Sequence, residues 1–407
     1  LSTPNFTPKW CFLPQKIGKI SQKDKKGTFH LLKPRVSTFF AKKLEQYERI
    51  MIYSVITGTG SCVPSKITTN EHFLTNEFYE SSGVRMDREN SDVVGKFKEI
   101  TTIVERRYAE DHQSTSDLAT IAAKEAIRTS GVDPETLDYI IVANNLGEIK
   151  ADTHAIDTIP CIAARVKHKL GIKNPSTVAY DIMFGCPGWL QAVIQADYYI
   201  RSGDAKKVLV IGAEILSRGS DPHDRDSMIY ADGAGATLLE AKESDVPVGI
   251  LAHKTRSDTF LYSGMLFMGK SYNPNYPNPS HLFLKMNGRR LYQYALDTVP
   301  TAIQSCLEKA GVSLEDVHKV LIHQANGKMD DAILKRLYGL YNLSVEPERV
   351  MPMTIATLGN SSVATVPTLL DFLYNHKLEG HEASSGDLLV FASVGAGMNI
   401  NALVYKV

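Results

Sequence analysis

Three residues far apart in the chain carry side chains suited to a single reaction: Cys186, His323 and Asn360. Cys186 lies in VAYDIMFGCPGWLQAV, where an apolar run ends at Gly185 and a helical pattern starts at Pro187. Proline suits the first helical position, because the N–H it lacks would be unsatisfied there anyway. Cys186 is therefore expected at a helix N-terminus, where the macrodipole and free N–H groups favour a thiolate and lower the thiol pKa. Its flanking glycines leave room for another group to approach the sulfur. His323 ends the apolar strand KVLI and begins His-Gln-Ala-Asn. Asn360 follows Gly359 in TLGNSSVATVPTLLDFL, where Ser361 and Ser362 read as caps of the next helix. Each residue alone has a structural reading: a small buried hydrophobe, a hydrogen-bonded core histidine, a member of a cap.

A fourth feature joins them. SVGAGMNI, from Ser393, places a Gly395-Ala396-Gly397 turn after a buried strand and exposes backbone N–H groups. Neither this turn nor DGAGA at Asp232–Ala236 matches the G-x-G-x-x-G of dinucleotide sites, and the second reads as a structural turn. A thiolate, an imidazole, a carboxamide and a nest of N–H groups share one chemistry. The thiolate attacks a thioester to form an acyl-enzyme. The N–H groups stabilise the tetrahedral oxyanion. Imidazole and carboxamide hold a second carbonyl whose α-carbon becomes the nucleophile. No strong base is needed when that carbanion forms by decarboxylation.

The elements that must position these groups are repeated. AIRTSGVDPETLDYIIVANN, from Ala126, resembles SCLEKAGVSLEDVHKVLIHQAN, from Ser305, with Gly131 matching Gly311. Each reads as a helix ending at glycine, a short turn and a buried strand. KKVLVIGAE and GDLLVFASVGAG form a second pair at close to the same offset of 180 residues. Strands alternating with helices predict two copies of one α/β unit, with sheets covered by helices. A site between the copies would draw residues from both. His323 falls opposite Ala143 of the first copy, so the imidazole belongs to one half only.

Composition sets outer limits. The chain has 407 residues, 43% of them apolar, and equal numbers of acidic and basic side chains. No net charge favours nucleic acid, and no apolar run reaches the ~18–20 residues of a membrane span. The five cysteines, Cys11, Cys62, Cys161, Cys186 and Cys306, form no C-x-x-C pair, so zinc is not expected and reduced thiols in the cytoplasm are. Residues 1–50 hold eleven Lys or Arg against three Asp or Glu, without apolar periodicity. They read as sequence ahead of the true start, a targeting peptide or a basic interaction arm, and in each case as an extension outside the fold. The expected halves are 51–245, carrying the cysteine, and 246–407, carrying His323 and Asn360.

The ordered set of D-x-x-x-x-C-x-G, H-Q-A-N and G-N-S-S resembles β-ketoacyl-acyl-carrier-protein synthase III, of the thiolase superfamily. The resemblance runs from about Met51 to Val407 and includes ITGTGSCVP, DPHDRDSMIYADGAGA and GAGMNINALVY. The Cys-His-Asn set distinguishes this branch from thiolases, which use a second Cys, and from elongating synthases, which use Cys-His-His. The resemblance implies a five-layered αβαβα thiolase-like fold and a homodimer. It implies an acyl group passed from acyl-CoA to Cys186, then condensed with malonyl-carrier protein held by His323 and Asn360. No cofactor or metal is implied. The oxyanion hole would be the N–H groups of Cys186 and Ala396, and Gly395 would help bind substrate. Arg225 would contact CoA, Ile159 would reach a partner's acyl pocket, and Lys328, Lys335 and Arg336 would face an acidic carrier protein. A solvated helix face is the plainer reading of those three charges.

Departures from the family pattern qualify the substrate. Pro187 and Trp189 follow the cysteine. EITTIVERR lacks the arginine that the family places against the CoA adenine, and no tryptophan lies nearby. FYESSGVRMDRENSDVVGKF is longer than usual. A longer, branched or protein-carried acyl donor is therefore expected in preference to acetyl-CoA. Two other readings are a same-fold acyl transfer without decarboxylation and a non-catalytic partner subunit. The second is disfavoured because all three site residues are present.

Overall fold

The computed structural model describes residues 51–345 and 347–407, so the extension expected at 1–50 lies outside the described residues. The principal elements are β1 (Met51–Cys62), α1 (Asn90–Thr101), α2 (Thr115–Ser130), β2 (Tyr139–Ala143), α3 (Ile162–Leu170) and β3 (Val178–Ile182). They continue with α4 (Gly188–Ser202), β4 (Lys207–Ile215), β5 (Asp232–Ser244), β6 (Gly249–Ser257), β7 (Leu266–Gly269) and β8 (Phe283–Met286). The chain closes with α5 (Gly288–Ala310), β9 (Val317–Ile322), α6 (Gly327–Gly339), α7 (Thr365–Tyr374), β10 (Leu388–Gly395) and β11 (Asn399–Lys406).

Two sheets result. The first has the order β1-β5-β4-β2-β3 and the second β6-β11-β10-β9. In the first, β2 and β4 are parallel while β4 and β5 are antiparallel. In the second, β9 and β10 are parallel while β10 and β11 are antiparallel. The repeat read from the sequence is thus a repeat of topology. Gly131 and Gly311 end α2 and α5 with φ of 69° and 67°, the left-handed conformation that glycine adopts without steric cost. A single 3₁₀ turn follows each, then β2 or β9.

Strand alternation builds the layers. On β4, Leu209 and Ile211 face α2 and α3 through Leu118, Ala122 and Val166, while Val208 and Val210 face inward. On β10, Phe391 faces inward and Val390 faces α5 and α6 through Ile303, Leu307 and Leu334. Between the sheets lie α4 and α7, packed through Leu190, Val193, Leu369 and Leu370. Helix, sheet, helix, sheet and helix follow in order, the five-layered arrangement expected.

Two local expectations change. The TVAYDIM run, expected to be buried, forms the edge strand β3, with Val178 47% and Met183 72% exposed. DGAGA is part of strand β5, not a turn. Its glycines serve packing: a Cβ at Gly235 would strike Pro367 and the backbone of Thr368, so α7 can lie directly on the strand.

Candidate active site

The tight turn carrying Cys186 places Gly185 at φ 71°, and the N–H of Gly188 donates to the Gly185 carbonyl at 2.9 Å. Helix α4 begins at Gly188, one residue later than the pattern suggests, with Pro187 just before it. This turn lies backbone to backbone against the Gly395–Gly397 turn. A Cβ on Gly395 would collide with the Cys186 nitrogen, and one on Gly185 would collide with the backbone of Ala396. Only glycines permit that approach, which sets the N–H groups of Cys186 and Ala396 beside one another. The Cys186 N–H makes no backbone hydrogen bond among the described residues.

His323 continues β9, its N–H donating to the Ala392 carbonyl at 2.8 Å. The neighbouring residues of His-Gln-Ala-Asn are structural. The Gln324 side chain accepts from the N–H groups of Thr354 and Ile355 and donates to the Pro352 carbonyl. Asn326 caps α6 through the Met329 N–H at 3.1 Å. Gln324 thereby ties the histidine strand to the segment leading to Asn360. That segment is anchored again by the Asn360 N–H to the Ile229 carbonyl, and the Ala231 N–H to the Asn360 carbonyl, both 2.9 Å. The Asn360 Oδ1 accepts the Ser362 N–H at 2.8 Å, while Nδ2 has no hydrogen bond among the described residues.

Cys186, His323, Asn360 and Ala396 line one pocket of about 410 Å³. The surrounding wall is apolar: Phe184, Leu216, Ile229, Phe267, Leu284 and Met286 contribute to it. A larger cleft of about 680 Å³ elsewhere is lined by charged residues such as Glu148, Asp157, Arg165 and Lys169, and holds none of the four. Among the described residues, no group of three or more His, Cys, Asp or Glu side chains is placed to hold a metal ion. Nor is any helix long and apolar enough to cross a membrane.

Burial dominates the electrostatics. It pushes the His323 imidazole down to about 4, so the ring is neutral near pH 7. Its buried Nδ1 has no partner among the described residues, leaving Nε2 as the nitrogen open to the pocket. A proton on Nε2 avoids a buried, unsatisfied N–H donor. Burial likewise pushes the Cys186 thiol up to about 11, with Glu214 adding to the effect once it ionises. The Ser362 hydroxyl and the residue's own N–H oppose it. The lowered thiol pKa expected from the helix N-terminus is thus reversed in the resting site, because removal from water outweighs the local dipoles.

The remaining expected residues distribute unevenly. Gly395 and Ala396 lie against the Cys186 turn. Arg225 lies outside the pocket, half-exposed, and faces Glu80 at 3.7 Å and the Met86 sulfur. Ile159 is 85% exposed, also outside the pocket. Lys328, Lys335 and Arg336 all project from α6 to the surface, but Arg336 is paired with Asp297 at 2.6 Å. Ser362 was expected to cap a helix. Instead it has φ 53°, and its hydroxyl reaches the Cys186 sulfur at 3.3 Å. Asn145 and Glu214, behind Ser362, belong to no motif, and only their position at the ends of β2 and β4 marked them.

The comparisons agree with this geometry. Residues 180–259 match the family described as 3-oxoacyl-[acyl-carrier-protein] synthase III, and residues 307–407 match its C-terminal part. A β-ketoacyl-[acyl-carrier-protein] synthase III of Chelativorans sp. is 31% identical over 362 residues, covering 88% of this chain and all of that one. One from Synechococcus sp. is 34% identical over 317 residues, covering 75% of this chain and 86% of that one. The crystal structure of the Aquifex aeolicus 3-oxoacyl-[acyl-carrier-protein] synthase III superposes with a TM-score of 0.70 at 30% identity, covering 87% of this chain and all of that one. With that similarity spanning both halves, the chain belongs to the β-ketoacyl-acyl-carrier-protein synthase III family.

Proposed function

We propose that the protein joins an acyl-CoA primer to malonyl-carrier protein by decarboxylative condensation. The observation that carries this reading is the convergence of Cys186, His323, Asn360 and the Ala396 turn on one apolar pocket. The Cys186 thiolate attacks the acyl thioester, the CoA thiolate leaves and takes up a proton, and the acyl group stays on sulfur. The N–H groups of Cys186 and Ala396 hold the oxyanion. Neutral His323 and the unengaged Asn360 amide donate to the malonyl thioester carbonyl. Carbon dioxide departs, the resulting enolate attacks the acyl-enzyme, and the sulfur is released as thiolate.

The apolar wall suits an acyl chain longer than acetyl. Exposed Lys328 and Lys335 on α6 suit an acidic carrier protein, while Arg336 is already held by Asp297. The edge of β3, unpaired among the described residues, and the exposed apolar side chains of Met183 just after it and of Ile159 suit a homodimer. Such an enzyme would work in the cytoplasm, initiating an acyl chain. The test supplies acyl-CoAs from acetyl to decanoyl together with malonyl-carrier protein, and measures carbon dioxide and β-ketoacyl-carrier product. Product from a chain longer than acetyl, lost in Cys186→Ala, is expected. Product forming without carbon dioxide release would favour the non-decarboxylating reading.

A further inference from the structure

Beside Cys186 runs a polar chain, buried at Ser362 and Glu214 and partly buried at Asn145, that the condensation chemistry above does not use. Ser362 Oγ lies 3.3 Å from Cys186 Sγ. Asn145 Nδ2 donates to Ser362 Oγ at 3.2 Å and to Glu214 Oε2 at 2.9 Å. The Asn145 backbone N–H donates to the same Glu214 oxygen at 2.9 Å. Glu214 is fully buried, makes no ion pair among the described residues, and its Oε1 has no partner there. Ser362 holds a left-handed backbone conformation that a non-glycine residue rarely adopts, and the Asn360 side chain accepts its N–H.

We propose that Ser362 is a further catalytic residue, donating a hydrogen bond to the nucleophilic sulfur, and that Asn145 and Glu214 are positioning residues that fix its direction. This rests on the reading of Cys186 as the nucleophile. The direction follows from counting donors. A serine hydroxyl has one hydrogen, and an asparagine amide nitrogen has two. Glu214 Oε2 takes one amide hydrogen, so the second points at Ser362 Oγ. With Oγ accepting, its own hydrogen is left for the sulfur. A flipped amide would set its oxygen against the Glu214 oxygen and let the serine hydroxyl donate to the amide instead. Glu214 thus fixes the amide, the amide fixes the hydroxyl, and the hydroxyl favours the thiolate. Burial pushes the Glu214 carboxyl up to about 8, so near neutral pH it accepts from Asn145 while adding little charge behind the sulfur.

The test reads the thiol itself and needs no acyl substrate, so its outcome is separable from that of the condensation reading. Full-length protein is alkylated with iodoacetamide from pH 6 to 10, and modification at Cys186 is followed by peptide mass. The expected result for Ser362→Ala is roughly tenfold slower alkylation at each pH across that range, the effect of one lost bond to a charged group. Asn145→Leu follows Ser362→Ala, whereas Glu214→Gln, which keeps an acceptor for the amide, stays near wild type. Wild-type rates across the range in Ser362→Ala overturn the proposal. Should that variant fail to fold, wild-type rates in Asn145→Leu overturn it equally.

Discussion

His323 is neutral because burial disfavours the imidazolium, and a neutral ring with its proton on Nε2 donates a hydrogen bond without needing protonation. The sign of the pH dependence follows. Lowering the pH charges this ring only near pH 4, so decarboxylation of malonyl-carrier protein should show no acid limb from His323 between pH 6 and 8. An activity that titrates through pH 6.5, in either direction, would contradict this. His323→Ala and Asn360→Ala should each slow condensation by about 10²–10³-fold, the usual cost of a donor to a developing oxyanion. Acylation of Cys186 should survive in both, as intact mass would show. These three residues were legible in the sequence because each ends a recognisable apolar strand or follows a glycine turn. Ser362 was legible only as a cap. Its left-handed backbone and its reach to the sulfur arise from contacts with Asn360 and Asn145, which no local pattern encodes.

At the scale of elements, the pocket wall depends on a buried ion cluster. Lys285 on β8 contacts Asp221 at 2.5 Å and Asp224 at 3.1 Å, and sits over the Tyr272 ring at 3.4 Å. All three charged residues are buried. They pin the β7–β8 hairpin, which supplies Phe267, Leu284 and Met286 to the pocket. Lys285→Met leaves two carboxylates uncompensated and should destabilise the fold by about 3–5 kcal/mol, measurable by urea denaturation. Loss below about 1 kcal/mol, the range of an exposed pair, would show that the cluster is solvated. The sequence displayed β4, β9 and β10 as apolar runs. It misplaced DGAGA, because glycines that admit a packed helix look the same as glycines that make a turn.

For the whole molecule, duplication was visible in the matching helix–glycine–strand segments, and both sheets share the order and direction of their corresponding strands. The first sheet adds β3, whose edge is unpaired among the described residues. Light scattering should therefore give twice the chain mass, and Met183→Asp with Ile159→Asp should shift it toward one chain. A wild-type monomer would refute the dimer. Which surface β3 presents was not legible, since the same TVAYDIM pattern serves a central strand or an edge.

The most direct measurement of the central claim is the intact mass of the protein incubated with acyl-CoAs, before and after malonyl-carrier protein is added. The account predicts an acyl adduct that requires Cys186 and disappears as malonyl-carrier protein is supplied. An adduct that malonyl-carrier protein cannot discharge, or no adduct with any donor, would contradict it.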